Sequence, residues 1–162
     1  MMNIDLNEMG LRLKKYRLYK NLTQQKLADL MGVSLARYKS FENGERSIDT
    51  GFDAIEESID YILSGVHSID IMVDKALMTM PEYAFESNKK QLDEFASKLL
   101  GNSVDINESM LKYKDVLNEF DEYYHMLVKY SEQHMFTKPA RDYVGPHFYT
   151  LITDAKYAGL NY

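Results

Sequence analysis

The stretch MGLRLKKYRLYKNLTQQKLADLMGVSLARYKSFENG, residues 9–44, predicts three consecutive helices. In its first part, Met9, Leu13 and Tyr16 recur at the four- and three-residue spacing of one helix face. Almost no connecting chain separates this segment from the two shorter helical segments that follow it. The three helices are therefore expected to pack against one another as one small unit.

Capping residues mark the helix ends within this stretch. Thr23 and Ser34 stand at the start of the second and third helices, where a hydroxyl can accept an otherwise unsatisfied backbone N–H. Gly32 ends the second helix at the position where a left-handed C-cap is expected. The third helix ends at residues 43–44, an Asn-Gly pair. Local chemistry thus predicts the boundaries of the second and third helices.

The composition of the whole 162-residue chain indicates a globular protein in water, with 45% hydrophobic and 27% charged residues. No apolar run approaches the roughly 20 residues that a membrane-spanning helix needs. Residues 1–10 have neither the basic nor the apolar region of a secretory signal. The absence of cysteine excludes a thiolate metal site and a cysteine nucleophile, and it favours the reducing cytoplasm. We therefore expect a cytoplasmic protein with no membrane partner.

The charge of the chain is unevenly distributed. Residues 1–50 carry nine Lys and Arg against six Asp and Glu, whereas residues 51–162 carry ten against nineteen. A basic N-terminal third attached to an acidic remainder suggests that the first part meets a polyanion.

The chain beyond residue 50 continues to show helical periodicity, and no segment alternates long enough to predict a strand. One amphipathic helix is predicted from Phe52 to Leu63. A long helix is predicted from Asn107 to about His134, with a continuous apolar stripe along it. The fold class is therefore predicted to be all-α.

Two domains are predicted, one over residues 1–64 and an acidic, tyrosine-rich helical domain over residues 65–162. Nine of the thirteen tyrosines lie after residue 80. Because tyrosine is enriched at interfaces, the second domain is expected to serve dimerisation or the binding of a partner or ligand. Ordinary packing of a helical bundle explains the tyrosines equally well.

Residues 9–44 resemble the helix-turn-helix of the Cro and phage-repressor (XRE-like) DNA-binding family. The matching residues, at the family's spacing, are Arg17, Leu22-Thr23-Gln24, Leu27-Ala28, Gly32-Val33-Ser34 and Glu42-Asn43-Gly44. The resemblance implies a helix-turn-helix domain followed by a C-terminal helical bundle. It also implies a recognition helix, residues 34–42, in the DNA major groove. An ion pair between Arg17 and Glu42 is expected to tie the first helix to the end of the recognition helix.

The same resemblance implies the residues that contact DNA. Gln24, Gln25 and Asn43 are expected to hold phosphates, which fixes the register on the duplex without determining sequence preference. The positions expected to face the bases are Leu35, Ala36, Arg37, Lys39 and Ser40.

Two of the base-facing positions depart from the family's usual residues. Leu35 and Ala36 stand where glutamine, serine or arginine is common, and neither can hydrogen-bond to a base. Both can contact thymine methyl groups, which leaves Arg37 or Lys39 to bind a guanine. In the alternative interpretation these apolar residues merely pack, and sequence preference is low or supplied elsewhere.

Signatures of catalysis and metal binding are sparse, and the sequence predicts no catalytic residue, metal site or cofactor. Glu122 and His125 have the spacing of half a di-iron site, but a second copy is lacking. Arg141 and His147 resemble the paired residues of HEPN ribonucleases. However, residues 145–146, Gly-Pro, interrupt the helix on which that family carries the pair.

The sequence therefore predicts a non-enzymatic, sequence-specific regulator of transcription, a repressor, whose partner is double-stranded DNA. A homodimer is expected because Leu117 and Tyr124 add a second apolar row beside Phe120 and Leu127 on the long helix. One row would serve the chain's own core and the other a second subunit.

Two alternative functions stay open at this point. In the first, the chain is an antitoxin-like protein that binds a partner protein through its C-terminal domain and represses its own operon. In the second, it is a HEPN-like ribonuclease that uses Arg141 and His147.

Overall fold

The computed structural model describes residues 4–101, 113–133, 143 and 145–158, and the regular structure within them is helical. The predicted all-α class is confirmed. A short 3-10 turn, Phe52–Ala54, lies between the third and fourth α-helices. The α-helices are α1 (Leu6–Tyr19), α2 (Gln24–Met31), α3 (Leu35–Glu42), α4 (Ile59–Ser64), α5 (Ser68–Thr79), α6 (Glu82–Leu100), α7 (Lys114–Gln133) and α8 (Phe148–Ala158).

The predicted capping residues begin and end α2 and α3. Thr23 Oγ1 accepts the backbone N–H of Lys26 at 3.0 Å, and Ser34 Oγ accepts that of Arg37 at 3.1 Å. Gly32 adopts a left-handed conformation with a φ of 71° and ends α2. These local predictions are confirmed, because each cap depends only on residues within one helical turn.

The described residues form two compact units. Unit 1 contains residues 4–68 together with 153–158, and unit 2 contains the described residues from 69 to 152. The sequence placed a single boundary after residue 64 and assigned the whole C-terminal part to the second domain. The structure differs, because the end of α8 belongs to unit 1.

The core of unit 1 is completed by Tyr157, a residue from that end of α8. Its side chain is buried, its ring stacks on Tyr61, and its hydroxyl donates to Glu57 Oε2 at 2.5 Å. The Tyr61 hydroxyl in turn donates to Asp154 Oδ1 at 2.6 Å. The other buried core residues of unit 1 are Met9, Leu13, Tyr16, Leu27, Ala28, Met31, Tyr38, Phe41, Ile48, Ile55 and Ile62.

The predicted single helix from Phe52 to Leu63 is wrong. The chain instead forms the 3-10 turn, then an extended residue at Ile55, and only later α4. The Tyr16 hydroxyl accepts the backbone N–H of Glu56 at 2.9 Å, so this backbone group bonds to a side chain and not to a helical carbonyl. Periodicity alone did not reveal this competing partner.

Unit 2 has its own core, and Tyr124 belongs to it. Tyr124 is 1% exposed and its hydroxyl donates to the buried Asp70. The two apolar rows predicted on the long helix are not divided between core and surface, because Phe120 and Leu127 from one row and Tyr124 from the other are all buried within unit 2. The remaining buried core residues of unit 2 are Val73, Leu77, Met80, Phe85, Leu92, Phe95, Tyr123 and Phe148.

The long helix predicted from Asn107 to about His134 is observed as α7, which begins at Lys114 and ends at Gln133. Residues 107–112 and 134 of that prediction lie outside the described residues. Across the part of the chain that the structure describes, no helix has the length and apolar character needed to cross a bilayer.

Candidate nucleic-acid interface

Helix α3 presents one face to the core of unit 1 and the opposite face to solvent. Tyr38 and Phe41 are fully buried, whereas Ala36, Lys39 and Asn43 are exposed. The three exposed residues are spaced by three and four positions, so they lie on one side of the helix. An exposed helix face of this kind is available for insertion into a groove.

Close backbone contact fixes α3 against α1. A Cβ atom at Gly10 would lie 2.4 Å from the backbone oxygen of Glu42, a distance that real Cβ atoms essentially never show. Only glycine therefore allows the two helices to approach this closely. Gly10 was not singled out from the sequence, although a glycine inside a helical pattern is a signal of close packing.

Arg17 and Glu42 form an ion pair that joins α1 to the end of α3. Arg17 Nε lies 2.6 Å from Glu42 Oε1, and the two side chains are 10% and 4% exposed. Arg17 Nη1 also donates to the backbone oxygen of Leu22 at 2.9 Å, just before α2. One arginine therefore contacts both the connection between α1 and α2 and the end of α3.

The Glu42 carboxylate is the acceptor for donors from all three helices. Besides Arg17, the Tyr38 hydroxyl donates to Oε1 at 2.7 Å and Gln24 Nε2 donates to Oε2 at 2.8 Å. Burial opposes the negative charge, but the hydrogen bonds from Arg17, Tyr38 and Gln24 outweigh it and hold the pKa of Glu42 below its ordinary value. Burial likewise opposes the charge of Arg17, and Glu42 reverses the effect and raises the pKa of that guanidinium. Glu42 therefore stays ionised and orients α3.

The residues expected to hold phosphates lie in different environments. Gln24 is half-buried and bonded to Glu42, which leaves the second hydrogen of its amide NH₂ for another acceptor. Gln25 is exposed and donates to Asp29 Oδ1 at 2.8 Å along α2. Asn43 is exposed and caps the C-terminus of α3.

The five residues expected to face bases are not equally accessible. Ala36 and Lys39 are exposed, whereas Leu35, Arg37 and Ser40 are half-buried. Ser40 Oγ donates to the backbone oxygen of Arg37 at 2.5 Å, so its hydroxyl hydrogen is used within the helix.

Arg37 has a partner that the sequence did not indicate. Its Nη2 lies 2.6 Å from Asp49 Oδ2, in the segment that follows α3. The hydrogen bond from Arg37 holds the pKa of Asp49 below its ordinary value. A separation of twelve residues across a turn gives no periodic signal, so the pair was not visible in the sequence.

The structure tests only half of the HEPN-like pair, since Arg141 lies outside the described residues. His147 Nδ1 lies 3.4 Å from Asp74 Oδ2, within reach of an ion pair but without hydrogen-bond geometry. His147 has a positive φ of 48°, directly before α8, and is therefore not part of a helix. The ribonuclease hypothesis stays a prediction with no support from this placement.

Comparison with known proteins supports the helix-turn-helix resemblance. Residues 13–51 match the family described as helix-turn-helix. An uncharacterized HTH-type transcriptional regulator of Bacillus subtilis (strain 168), YqaE, is 35% identical over 69 residues. That alignment covers 40% of this chain and 60% of the relative, so the chain matches less than two thirds of that protein's length. No solved structure matches the chain significantly.

Proposed function

We propose, from the match of residues 13–51 to the helix-turn-helix family, that the chain is a sequence-specific DNA-binding regulator of transcription. The observation that carries the proposal is the exposed face of α3, held in place by the Glu42 network and by the close approach at Gly10. A helix with a fixed orientation and an exposed outer face is what insertion into the major groove requires. We further propose that the regulator acts as a cytoplasmic repressor.

Phosphate contacts supply the sequence-independent part of the proposed affinity. Asn43 at the end of α3 and Gln24 and Gln25 at the start of α2 are the proposed phosphate ligands. The basic charge of residues 1–50 supports the same proposal, since neutralised phosphates release counterions and drive association.

Sequence preference arises, in this proposal, from the outer face and flank of α3. The methyl-bearing side chains of Leu35 and Ala36 are suited to thymine methyl groups, and Lys39 and Arg37 to the acceptors of guanine. The hydroxyl oxygen of Ser40 still offers acceptor lone pairs to a base amino group, because only its hydrogen is used within the helix.

A homodimer is the proposed binding form, because one three-helix unit makes few contacts and dimers bind half-sites about one helical turn apart. Tyr124 is buried in its own subunit and is not part of the proposed dimer surface. Exposed apolar side chains remain available on unit 2: Ile71, Tyr83, Leu100 and Met126.

The test of the proposal is the selection of sequences from random duplex DNA by the full-length protein, followed by sequencing. We expect a palindromic motif whose half-sites are about one helical turn apart. The affinity for the selected duplex should fall linearly on a plot of log K against log salt. A protein that enriches no sequence, or whose duplex binding ignores salt, would contradict the proposal.

A matched pair of variants tests the phosphate contacts in the same assay. Asn43→Ala should weaken binding to all duplexes by about 1–2 kcal/mol, the usual value of a hydrogen bond to a charged group. Asn118→Ala removes the same side chain from an exposed position of α7 and should leave affinity unchanged. Equal effects of the two variants would contradict the placement of the interface on α3.

A further inference from the structure

The segment that follows the recognition helix is fixed on both sides of Asp49. Ile48 is 4% exposed and belongs to the core of unit 1. Two residues after Asp49, Gly51 has a positive φ of 78°, and a Cβ atom there would lie 2.6 Å from Met31 Cβ. Asp49 therefore lies between two anchored residues, and its carboxylate occupies a defined place beside α3.

The guanidinium of Arg37 is oriented by that carboxylate. Arg37 belongs to the first turn of α3, where its backbone N–H bonds to Ser34. The Nε atom is buried and has no hydrogen-bond partner within the described residues. Nη2 donates to Asp49 Oδ2 at 2.6 Å, and the side chains of the pair are 39% and 55% exposed.

This arrangement leaves specific donors available. Of the five N–H groups of a guanidinium, the buried Nε–H and one hydrogen of Nη2 are directed into the protein. The Nη1 group and the other Nη2 hydrogen remain for an external acceptor. Adjacent donors in one plane suit the O6 and N7 acceptors of guanine.

Resting on the proposed DNA-binding function, we propose that Asp49 is a positioning residue that holds the Arg37 guanidinium for one guanine in the major groove. Asp49 itself does not touch the base. Its carboxylate limits the directions that the long arginine side chain can take, and thereby converts a flexible cation into a donor pair with one orientation.

The charge of Asp49 gives this role a distinctive signature. A carboxylate near the duplex repels the phosphates, so its removal increases affinity for DNA of any sequence. Loss of the positioning contact decreases discrimination at the base pair that Arg37 contacts. Replacement of Asp49 should therefore raise non-specific affinity and lower specificity at one base pair in the same variant.

The experiment measures the full-length protein against the selected duplex and a set carrying each single base-pair change, with random duplex as reference. Asp49→Asn should reduce discrimination at one guanine by roughly 5- to 30-fold, which corresponds to about 1–2 kcal/mol and so to the lower part of the range for a good bidentate contact. Arg37→Ala should reduce it at the same base pair, and adding Asp49→Asn to Arg37→Ala should cause no further loss there. Asp49→Glu, which keeps the carboxylate, should restore part of the preference.

Glu45→Gln is the matched control, because it removes one negative charge from an exposed residue of the same segment. It should raise the affinity for all duplexes without altering the preference at any base pair. Circular dichroism should show that the exposed substitutions leave the helical content unchanged.

The possible results separate this inference from the function on which it rests. If the wild-type protein selects a motif but Asp49→Asn behaves like Glu45→Gln, Asp49 acts only through its charge and the inference is overturned alone. The inference also fails if Asp49→Asn changes a base pair that Arg37→Ala does not. A wild-type protein that selects no motif would overturn the proposed function and this inference together.

Discussion

Each of the two units contains a carboxylate that joins several segments, but the partners of the two carboxylates differ. In unit 1, Glu42 faces the guanidinium of Arg17 and neutral donors from α2 and α3. In unit 2, Asp70 is fully buried, and it accepts bonds from the Tyr124 hydroxyl and from Thr150. Glu42 thus orients a surface helix by charge pairing, whereas Asp70 joins distant segments through neutral donors.

The difference shows which contacts a sequence reveals. The partners of Glu42 lie within 25 residues of it and within one recognised pattern. The partners of Asp70 lie 54 and 80 residues away, where no pattern relates them. Local chemistry therefore describes unit 1 better than it describes unit 2.

Removal of the charged partner is expected to have the largest effect. Glu42→Ala leaves the guanidinium of Arg17 buried without its carboxylate, which typically costs about 3–5 kcal/mol. Hydrogen exchange of peptides from α1 and α3 measures the loss within unit 1. Glu45→Ala, at an exposed site nearby, should change stability by less than about 0.5 kcal/mol. A loss below about 1 kcal/mol in Glu42→Ala would show that water screens the pair.

Truncation of Tyr157 tests whether the end of α8 belongs to unit 1. Tyr157→Ala removes a buried aromatic ring and should destabilise α1 and α4 by about 3–4 kcal/mol. Tyr157→Phe keeps the ring and loses only the hydroxyl donated to Glu57, so about 1 kcal/mol is expected. If hydrogen exchange in α1 and α4 were the same in Tyr157→Ala as in the wild type, the end of α8 would not belong to unit 1. The same packing implies that a protein truncated near Gly65 loses part of its core as well as unit 2.

Removal of the Asp70 carboxylate, whose donors are neutral, should lower stability less than removal of the Glu42 carboxylate, which faces the charged Arg17. Asp70→Ala leaves the buried Tyr124 hydroxyl without the acceptor it has in the wild type, and about 2–3 kcal/mol is expected from such a loss. Tyr124→Phe removes the donor as well, so Asp70→Ala should cost less when made in the Tyr124→Phe background. The free energies of unfolding of the two single variants and the double variant are measured by urea denaturation. If the two single losses add up to the loss in the double variant, the two side chains are not coupled.

Acid should change the stabilities of the two units in opposite directions. This is the smallest effect that we predict. The pKa values of Glu42 and Glu57 are lowered because hydrogen bonds from their partners outweigh burial. Their contribution is complete above the ordinary glutamate pKa of about 4.3 and is lost as pH falls through the folded values. Burial raises the pKa of Asp74, so the folded state of unit 2 binds its proton more readily and is favoured by acid.

Hydrogen exchange between about pH 6 and pH 3 checks this sign. Protection in unit 1 should fall at a higher pH than protection in unit 2, after each peptide is corrected for its own unfolded reference. Glu42→Gln should show a shallower decline in unit 1, because the variant side chain does not titrate. If protection in unit 2 were lost at a higher pH than protection in unit 1, the opposite effects of acid on the two units would be contradicted.

The sequence was informative wherever a structure depends on neighbouring residues. The caps at Thr23, Gly32 and Ser34 are of this kind, since each satisfies or ends the backbone of the adjacent turn. The pairing of Arg17 with Glu42 was expected from a family resemblance, and the two side chains do form an ion pair.

The sequence was uninformative wherever a distant side chain competes with a local pattern. Tyr16 bonds the backbone at Glu56 and interrupts a region with helical periodicity. Tyr157 enters a core formed by residues about a hundred positions earlier, and Tyr124, in one of the two apolar rows of the long helix, bonds to Asp70 within its own unit. Apolar spacing shows that a side chain is buried without showing which surface buries it.

Contact between the outer face of α3 and DNA is tested most directly by protection of single cysteines. The natural chain has no cysteine, so Ala36→Cys on α3 and Tyr83→Cys on unit 2 each introduce a unique reactive thiol at an exposed position. With the selected duplex at about tenfold above Kd, only about one tenth of the protein is free, and maleimide labelling of Ala36→Cys should slow about tenfold. Labelling of Tyr83→Cys should keep its rate. Unslowed labelling of Ala36→Cys while the duplex is bound, or protection of Tyr83→Cys in its place, would contradict a DNA contact at α3.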